Sequence, residues 1–461
     1  MTQALKTDLY QLTMMQAYFA GNHNPYATFD YFVRNIPFGS YLVVAGLPSV
    51  LSYIEELRFD PDDLEYLAEQ NLFTRSFLKY LENFNFTGDI SGMPEGELAF
   101  PKEPILRVRA PIMEAQLIES FVLNKINFSS LIATKASRVV YAAGAKLVAE
   151  FGLRRAQGEA QLEATRACFI GGCSATSNVY AGNHLGIPVT GTMAHSYVTS
   201  FENETDAFRI YSETFPDNTI LLIDTYDSLE GARKAVEIAK EMESRDQRLK
   251  AVRIDSGNLL ELSKKVRNIF DKAGCSYVKI FASSDLNEWK IEELLKNGAS
   301  IDAFGVGTEM ITSSPSPALG GVYKLVEIED ADGNLIPKMK LSNDQEKATL
   351  PGRKTVWRLY DSNGLLKEDV IALDDEKIDY SGKYRKIHVS FVEKGQVVCQ
   401  IPPLTEIRDQ AQKNLSFLPE KYRAFDAAPT YPVKLSTGLE KLTQNLSRSL
   451  HSPELKKTEP K

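Results

Sequence analysis

The sequence predicts an α/β protein in which an irregular TIM-like (β/α) barrel is joined to a discontinuous α+β sandwich domain. Three patterns predict it. From Glu150 to Thr308, short apolar runs alternate with helical segments at the step of successive βα units, a βαβ module taking ~30 residues or more. After Gly320, strand-like runs instead pair up around short turns. Before Pro111, strands and helices mix without regular alternation. The expected division is 1–125 for the N-terminal part of the α+β domain, 126–340 for the catalytic barrel, 341–445 for the C-terminal part and 446–461 for a mobile tail.

The elements follow in order. Thr7 is placed to cap a helix whose apolar residues Leu9, Leu12, Met15 and Phe19 share one face, with Gly21 to end it. YATFDYFV (26–33) has strand composition, PDDLEYLAEQN and TRSFLKYLENF read as short helices, and GELAF and PILRVRA as strands. A long helical stretch is expected from Pro111 to about Ala143, with a break near Asn127. Strands are then expected in EFGLRRA, IPVTGT, TILLIDT, KAVRIDS, YVKIFASS and IDAFGVGT, with helices such as SLEGARKAVEIAKEM between them. Hairpins follow at GGVYKLVEI/IPKMKLS, TVWRLYD/LKEDVIAL and KIHVSFV/KGQVVCQ, and these are expected to pair with N-terminal strands.

Composition narrows the function. The chain has 461 residues, 43% of them hydrophobic, enough to bury one large core or several ordinary ones. With 53 Lys plus Arg against 61 Asp plus Glu, the net charge is −8, so no overall positive field exists to attract nucleic acid or a membrane surface. Four cysteines with no C-x-x-C spacing predict neither a disulfide framework nor a zinc site, and a cytoplasmic protein is expected. The opening residues do not read as a signal peptide, and no run is long and apolar enough to span a bilayer.

Chemistry-bearing residues stand where the apolar runs end: Arg154 and Arg155; Thr192 and His195; Asp224 and Asp227; Arg253 and Asp255; Ser283, Ser284 and Asp285; and Gly305 to Thr308. A closed barrel brings such ends to one mouth, whereas an open sheet gathers them along an edge. The number of separate ends favours the barrel. Each residue also has a plainer reading: a structural histidine, an internal ion pair for Arg253, helix caps for Asp227 and for Ser283 and Ser284, and core packing for Phe151 and Tyr10.

The segments TDLYQLTMMQAY, FGLRRAQG, TSNVYAG, GIPVTGTMAHSYVTSF, LLIDTYD, RIDSGN, GVGT, LGGVYKLV and LPGRKTVWR, in this order, resemble the nicotinate phosphoribosyltransferases. The resemblance implies joining of nicotinate to 5-phosphoribosyl 1-pyrophosphate, giving nicotinate mononucleotide and pyrophosphate in NAD salvage. It implies ATP as co-substrate, coupled through a phosphohistidine at His195, with Mg2+ on the phosphates and a homodimer with shared active sites. Asp255 and Asp224 are implied as the catalytic carboxylates, and Tyr10, Phe151, Thr192 and Arg253 as the nicotinate site, Tyr10 coming from the other subunit. Gly307 and Thr308 are implied for the phosphoribosyl donor, with Ser283, Arg34 and Arg154 as candidate contacts to its phosphates, while the metal ligands stay open. Arg155, Lys340 and Lys347 are further candidate anion contacts.

Two local features bear on this, the second a departure from the family pattern. Ser177 and Asn178 stand where nicotinamide-using relatives carry an aspartate, which favours a carboxylate ligand because like charges in a desolvated pocket repel. Asn258 stands where the family commonly has aspartate. The competing readings are a nicotinamide phosphoribosyltransferase, a sugar-phosphate aldolase using a strand-end lysine, and a non-catalytic metabolite-binding barrel.

Overall fold

A computed structural model describes residues 2–39, 41–341 and 349–451. The chain divides into two compact units, Met1–Leu131 with Ala318–Lys461, and Ile132–Pro317. Residues 318–340, expected in the barrel, belong to the first unit because Gly321–Glu329 pairs antiparallel with Tyr26–Val33 from Ala27 to Val33. Residues up to 131 also stay with the first unit, within the long helix Glu119–Ala143. At the other end, 446–451, expected as mobile tail, continue the helix Thr437–His451; the remaining tail and Lys347 lie outside the described residues.

The first unit is built on a seven-stranded sheet. Its order is Leu335–Pro337, Gly321–Glu329, Tyr26–Val33, Pro104–Pro111, Asp89–Gly92, Val389–Glu393 and Gln396–Val397. Two of the C-terminal hairpins thus join N-terminal strands. The third, Lys354–Tyr360 with Leu366–Leu373, forms a separate four-stranded sheet. Tyr26–Val33 is buried at every position after its first, as befits a central strand covered on both faces. The N-terminal helix spans Leu9–Ala20 and buries Leu12 and Met15; Asp8, not Thr7, is its N-cap residue, since the Thr7 hydroxyl donates to Leu117 O. The long helical stretch breaks at Ile118 rather than Asn127, after the short helix Ile112–Leu117. Asn127 stays inside the helix and accepts the Tyr31 hydroxyl bond at 2.9 Å.

One charge cluster lies in this unit. Arg358, 1% exposed, pairs with Asp369 and Glu97 and donates to Leu98 O at 2.7 Å, while Tyr431 donates to Asp369 at 3.1 Å. Burial, followed by the nearby Asp369, pushes the Glu103 carboxyl well above the usual carboxylate range.

The second unit carries a six-stranded sheet, all parallel, in the order Ala175–Thr176, Leu147–Glu150, Ala303–Val306, Lys279–Ala282, Ala251–Ile254 and Ile220–Leu222. It is a curled half-barrel: among the described residues, no hydrogen-bonded ladder joins Ala175–Thr176 to Ile220–Leu222. The closed ring is not completed because IPVTGT, expected as a strand, contributes only the single bridge of Val189 to Thr176. Its Pro188 and Gly191 interrupt a ladder. Helices cover the sheet with small and aliphatic residues: Ala232, Ala235, Ile238 and Ala239 of Ser228–Glu243 pack with Val266 and Phe270 of Leu259–Lys272 in one core with Leu221 and Val252. Each of these helices, and Glu288–Lys296 after them, starts at a defined cap. Asp227 accepts from Leu229 N and Glu230 N, Asn258 from Glu261 N and Asn287 from Lys290 N, so each strand-end loop is held to a few residues.

Candidate functional site

The strand Ala251–Ile254 buries three of its four residues and leaves Arg253 partly open, because strand residues alternate sides and its neighbours Val252 and Ile254 are core. Each nitrogen of the Arg253 guanidinium has one partner, which leaves N–H donors on Nη1 and Nη2 for a ligand. Nε donates to Ser283 Oγ at 2.8 Å, Nη1 to Thr192 Oγ1 at 3.0 Å, and Nη2 pairs with Asp255 Oδ1 at 2.9 Å. Ser283 Oγ in turn donates to Asp255 Oδ1. The internal ion pair weighed for Arg253 is therefore present, and it orients the guanidinium instead of removing it from the mouth: its carbon lies 5.7 Å from the centre of the Phe151 ring.

Phe151 follows the strand Leu147–Glu150 and stays tied to the sheet through its N–H to Val306 O at 2.8 Å. Phe281 lies 5.5 Å away, ring to ring. Gly305 makes room for both, since a Cβ there would come within 2.7 Å of the Phe151 ring and 2.9 Å of Phe281. Gly307 has the same purpose for the backbone: a Cβ would stand 3.0 Å from Phe151 O. Thr308 is exposed and begins the one-turn helix Thr308–Ile311.

His195 opens the short helix His195–Thr199 beyond the Thr192 turn. Its Nδ1 lies 3.2 Å from Thr225 Oγ1 and its Nε2 3.8 Å from Asp255 Oδ2, with 44% of the side chain exposed. Asp224 Oδ2 accepts from Asp255 N at 3.0 Å and from the Ser256 hydroxyl, while Asp224 Oδ1 is buried with no hydrogen-bond partner among the described residues. The carboxylate at Asp255 is thus addressed by Arg253 and Ser283 on one oxygen and faces the imidazole with the other.

The structure gathers Phe151, Thr192, His195, Asp224, Arg253, Asp255 and Ser283 into one linked network. Gly307 lies against the Phe151 backbone. Arg154 and Arg155 are exposed in the turn after Phe151 and make no ion pair among the described residues. Ser283 and Ser284 do not cap the next helix, which is the task of Asn287. Ser284 instead holds φ +100°, a conformation costly for a residue with a Cβ. Tyr10 and Arg34 belong to the other unit: Tyr10 is about half exposed on Leu9–Ala20, and Arg34 Nε is buried without a partner among the described residues. Lys340 is exposed. Away from this network, His23 and His184 lie beside Tyr18 and Tyr180, and His388 is buried with a ring nitrogen 2.6 Å from Pro104 O.

Sequence reasoning passed over two residues. Thr225, between Asp224 and the helix cap Asp227, holds the imidazole, and only its place directly after a strand end hinted at this. Glu150 ends a strand at 1% exposure and accepts from Gly152 N, from Thr165 Oγ1 at 3.2 Å and from Thr176 Oγ1 at 2.6 Å. A carboxylate inside an apolar run, next to a ring-bearing turn, was the available signal.

Among the described residues, no group of three His, Cys, Asp or Glu is arranged to hold an ion. The unpartnered Oδ1 of Asp224 and the nearby Asp255 suit a hydrated magnesium ion that arrives on phosphates, the usual way this ion binds.

Fold and mouth together define a half-barrel α/β protein of the metabolite-handling class, with ligand groups displayed at the carboxyl ends of parallel strands. Three sequence families match in series: the nicotinate phosphoribosyltransferase N-terminal domain over residues 5–127, the nicotinate phosphoribosyltransferase family over 147–366, and the C-terminal domain over 380–443. The nicotinate phosphoribosyltransferase of Bacillus subtilis is 43% identical over 94% of this chain and 93% of that protein. That of Caenorhabditis elegans is 34% identical over 97% of this chain and 93% of its own. The crystal structure of human nicotinic acid phosphoribosyltransferase superposes with a TM-score of 0.84 at 29% identity, covering 95% of this chain and 99% of the human one. The chain belongs to the nicotinate phosphoribosyltransferase family.

Proposed function

We propose that the protein is a nicotinate phosphoribosyltransferase of NAD salvage, forming nicotinate mononucleotide and pyrophosphate from nicotinate and 5-phosphoribosyl 1-pyrophosphate. The observation that carries this reading is the Arg253 guanidinium, fixed by Thr192, Ser283 and Asp255 at 5.7 Å from the Phe151 ring. A flat ring with a carboxylate on its edge matches an aromatic wall beside a planar cation. The pyridine nitrogen attacks the anomeric carbon as the bond to pyrophosphate breaks, so the step needs no enzyme base. Orientation and charge stabilisation drive it. Asp255 and Asp224 steady the positive charge that develops on the sugar and accept from its hydroxyls, while Gly307, Thr308, Ser283 and Arg154 receive the phosphates of the donor, joined by Arg34 from a second copy. Magnesium, held on those phosphates near Asp224, would neutralise the charge of the leaving pyrophosphate.

His195 is the proposed phosphorylation site. With Nδ1–H donating to Thr225, Nε2 keeps the lone pair and attacks the terminal phosphorus of ATP, ADP leaves, and water later releases phosphate from the imidazole. The proposal extends to a cytoplasmic homodimer in which Tyr10 stacks on the pyridine ring from a second copy. Among the described residues, no helix is long and apolar enough to cross a membrane. Nicotinate is preferred to nicotinamide because Ser177 and Asn178 bring no charge to their segment.

The test supplies nicotinate, donor and magnesium with and without ATP, and measures mononucleotide formation by native protein and His195→Ala. Native protein should respond to ATP, and the variant should keep only slow, ATP-independent synthesis. A variant that still responds to ATP removes His195 from the coupling. Absence of product from native protein, or preference for nicotinamide, removes the assigned reaction.

A further inference from the structure

The Glu150 carboxylate is unusual in its surroundings. It is 1% exposed, and no cation pairs with it among the described residues. A buried charge without an ion partner is retained only where donors surround it. Here three converge: Gly152 N on Oε1, and the Thr165 and Thr176 hydroxyls on Oε2.

Those donors come from three separate segments. Gly152 lies in the turn that begins at Phe151. Thr165 belongs to the helix Ala160–Ile170. Thr176 lies on the edge strand, where its Oγ1 also accepts from Asn178 N at 2.9 Å and its carbonyl accepts from Thr190 N at 2.9 Å. Asn178 caps the helix Val179–Leu185 through Ala181 N at 3.1 Å. Thr190 stands two residues before Thr192, which holds Arg253. The carboxylate therefore ties the turn carrying the ring wall to the segment carrying the hydroxyl that sets the guanidinium. Phe151, Thr192 and Arg253 share an anchor that faces away from them, since Glu150 and Phe151 are sequence neighbours on an extended chain.

We infer that Glu150 is a positioning residue for the pyridine pocket: it sets the gap between the Phe151 ring and the Thr192–Arg253 pair, and so the fit of a flat aromatic acid. The inference rests on the reaction proposed above. Because Glu150 touches no donor-site residue except through the backbone turn, its loss should act on the aromatic acid and spare the phosphoribosyl donor.

The experiment compares native full-length protein with Glu150→Gln and Thr176→Val, measuring KM for nicotinate and for 5-phosphoribosyl 1-pyrophosphate separately, together with the unfolding midpoint. Glu150→Gln keeps the volume but turns one acceptor into a donor facing another donor, so KM for nicotinate should rise about tenfold or more while the donor KM stays within about twofold. Thr176→Val keeps the carboxylate and removes two hydrogen bonds, the one donated to Glu150 and the one accepted from Asn178 N, giving a smaller rise in the same direction, about threefold to tenfold. If Glu150→Gln fails to fold, Thr176→Val decides alone. Unchanged nicotinate KM, or equal rises in both KM values, overturns the positioning role. A native protein that makes no mononucleotide from nicotinate overturns the proposed reaction instead, and the two failures are distinct.

Discussion

Replacing Arg253 by lysine keeps the charge and removes the fork. In the native protein the guanidinium makes three contacts of 2.8, 3.0 and 2.9 Å to Ser283, Thr192 and Asp255. A single ammonium on a shorter reach satisfies Asp255 and leaves Thr192 without its donor. It also replaces a planar group beside Phe151 with a point charge, so the two-pronged approach to a carboxylate is lost. A hydrogen bond to a charged group is worth about 1.5–3 kcal/mol, so losing one prong lowers kcat/KM for nicotinate about 10- to 150-fold. The assay is steady-state kinetics with nicotinate and, as control, nicotinamide, whose neutral carboxamide depends less on the fork. A fall of less than about threefold for nicotinate, or an equal fall for both substrates, would refute the assignment of Arg253 to the carboxylate.

Other outcomes follow from the same geometry. Gly305→Ala puts a methyl group into the Phe151 ring, and should raise KM for nicotinate and cost about 1–3 kcal/mol in a denaturant titration. Arg358→Met strands Asp369 without its cation and leaves Glu97 with Arg385 alone, and should destabilise the first unit by about 3–5 kcal/mol, read by urea unfolding. Asn258→Asp keeps the cap on Leu259–Lys272, since both side chains accept equally well, so the unfolding midpoint should hold while Asn258→Ala loses about 1 kcal/mol. Burial, then the charge of Arg107, lowers the His388 pKa from 6.5 to about 3. The unfolded chain thus binds the extra proton first, and the stability contributed by neutral His388 is complete above about pH 6.5 and lost as pH falls toward 3. Denaturant titrations at pH 7 and pH 4.5 should show a smaller acid loss for His388→Gln than for native protein.

Much of the second unit was legible because its strands are short apolar runs between capped helices, a pattern that survives in one sequence. The strand at Ala175–Thr176 was not legible: two residues among small polar neighbours carry no periodic signal, and the backbone pairing with Leu147–Glu150 makes it a strand. The reverse held for IPVTGT, whose β-branched residues suggest a strand that proline and glycine prevent. Likewise, Pro111 reads as a helix start but ends the strand Pro104–Pro111, since pairing with Tyr26 extends that strand to it. In the site, strand-end residues could be named singly from sequence. That Asp255 would bind Arg253 and Ser283 with one oxygen and face His195 with the other depends on adjacent parallel strands coming into register, which no local pattern encodes.

The unladdered seam of the half-barrel has a mechanical consequence. Thr192 and His195 hang from the chain that crosses between the two sheet edges, not from a strand locked on both sides. The backbone ties of that crossing chain run to one edge, through Pro188, Val189 and Thr190 to Thr176. The imidazole in the mouth therefore rides on a connection outside the ladder, while the guanidinium beside it is carried by a strand paired on both sides.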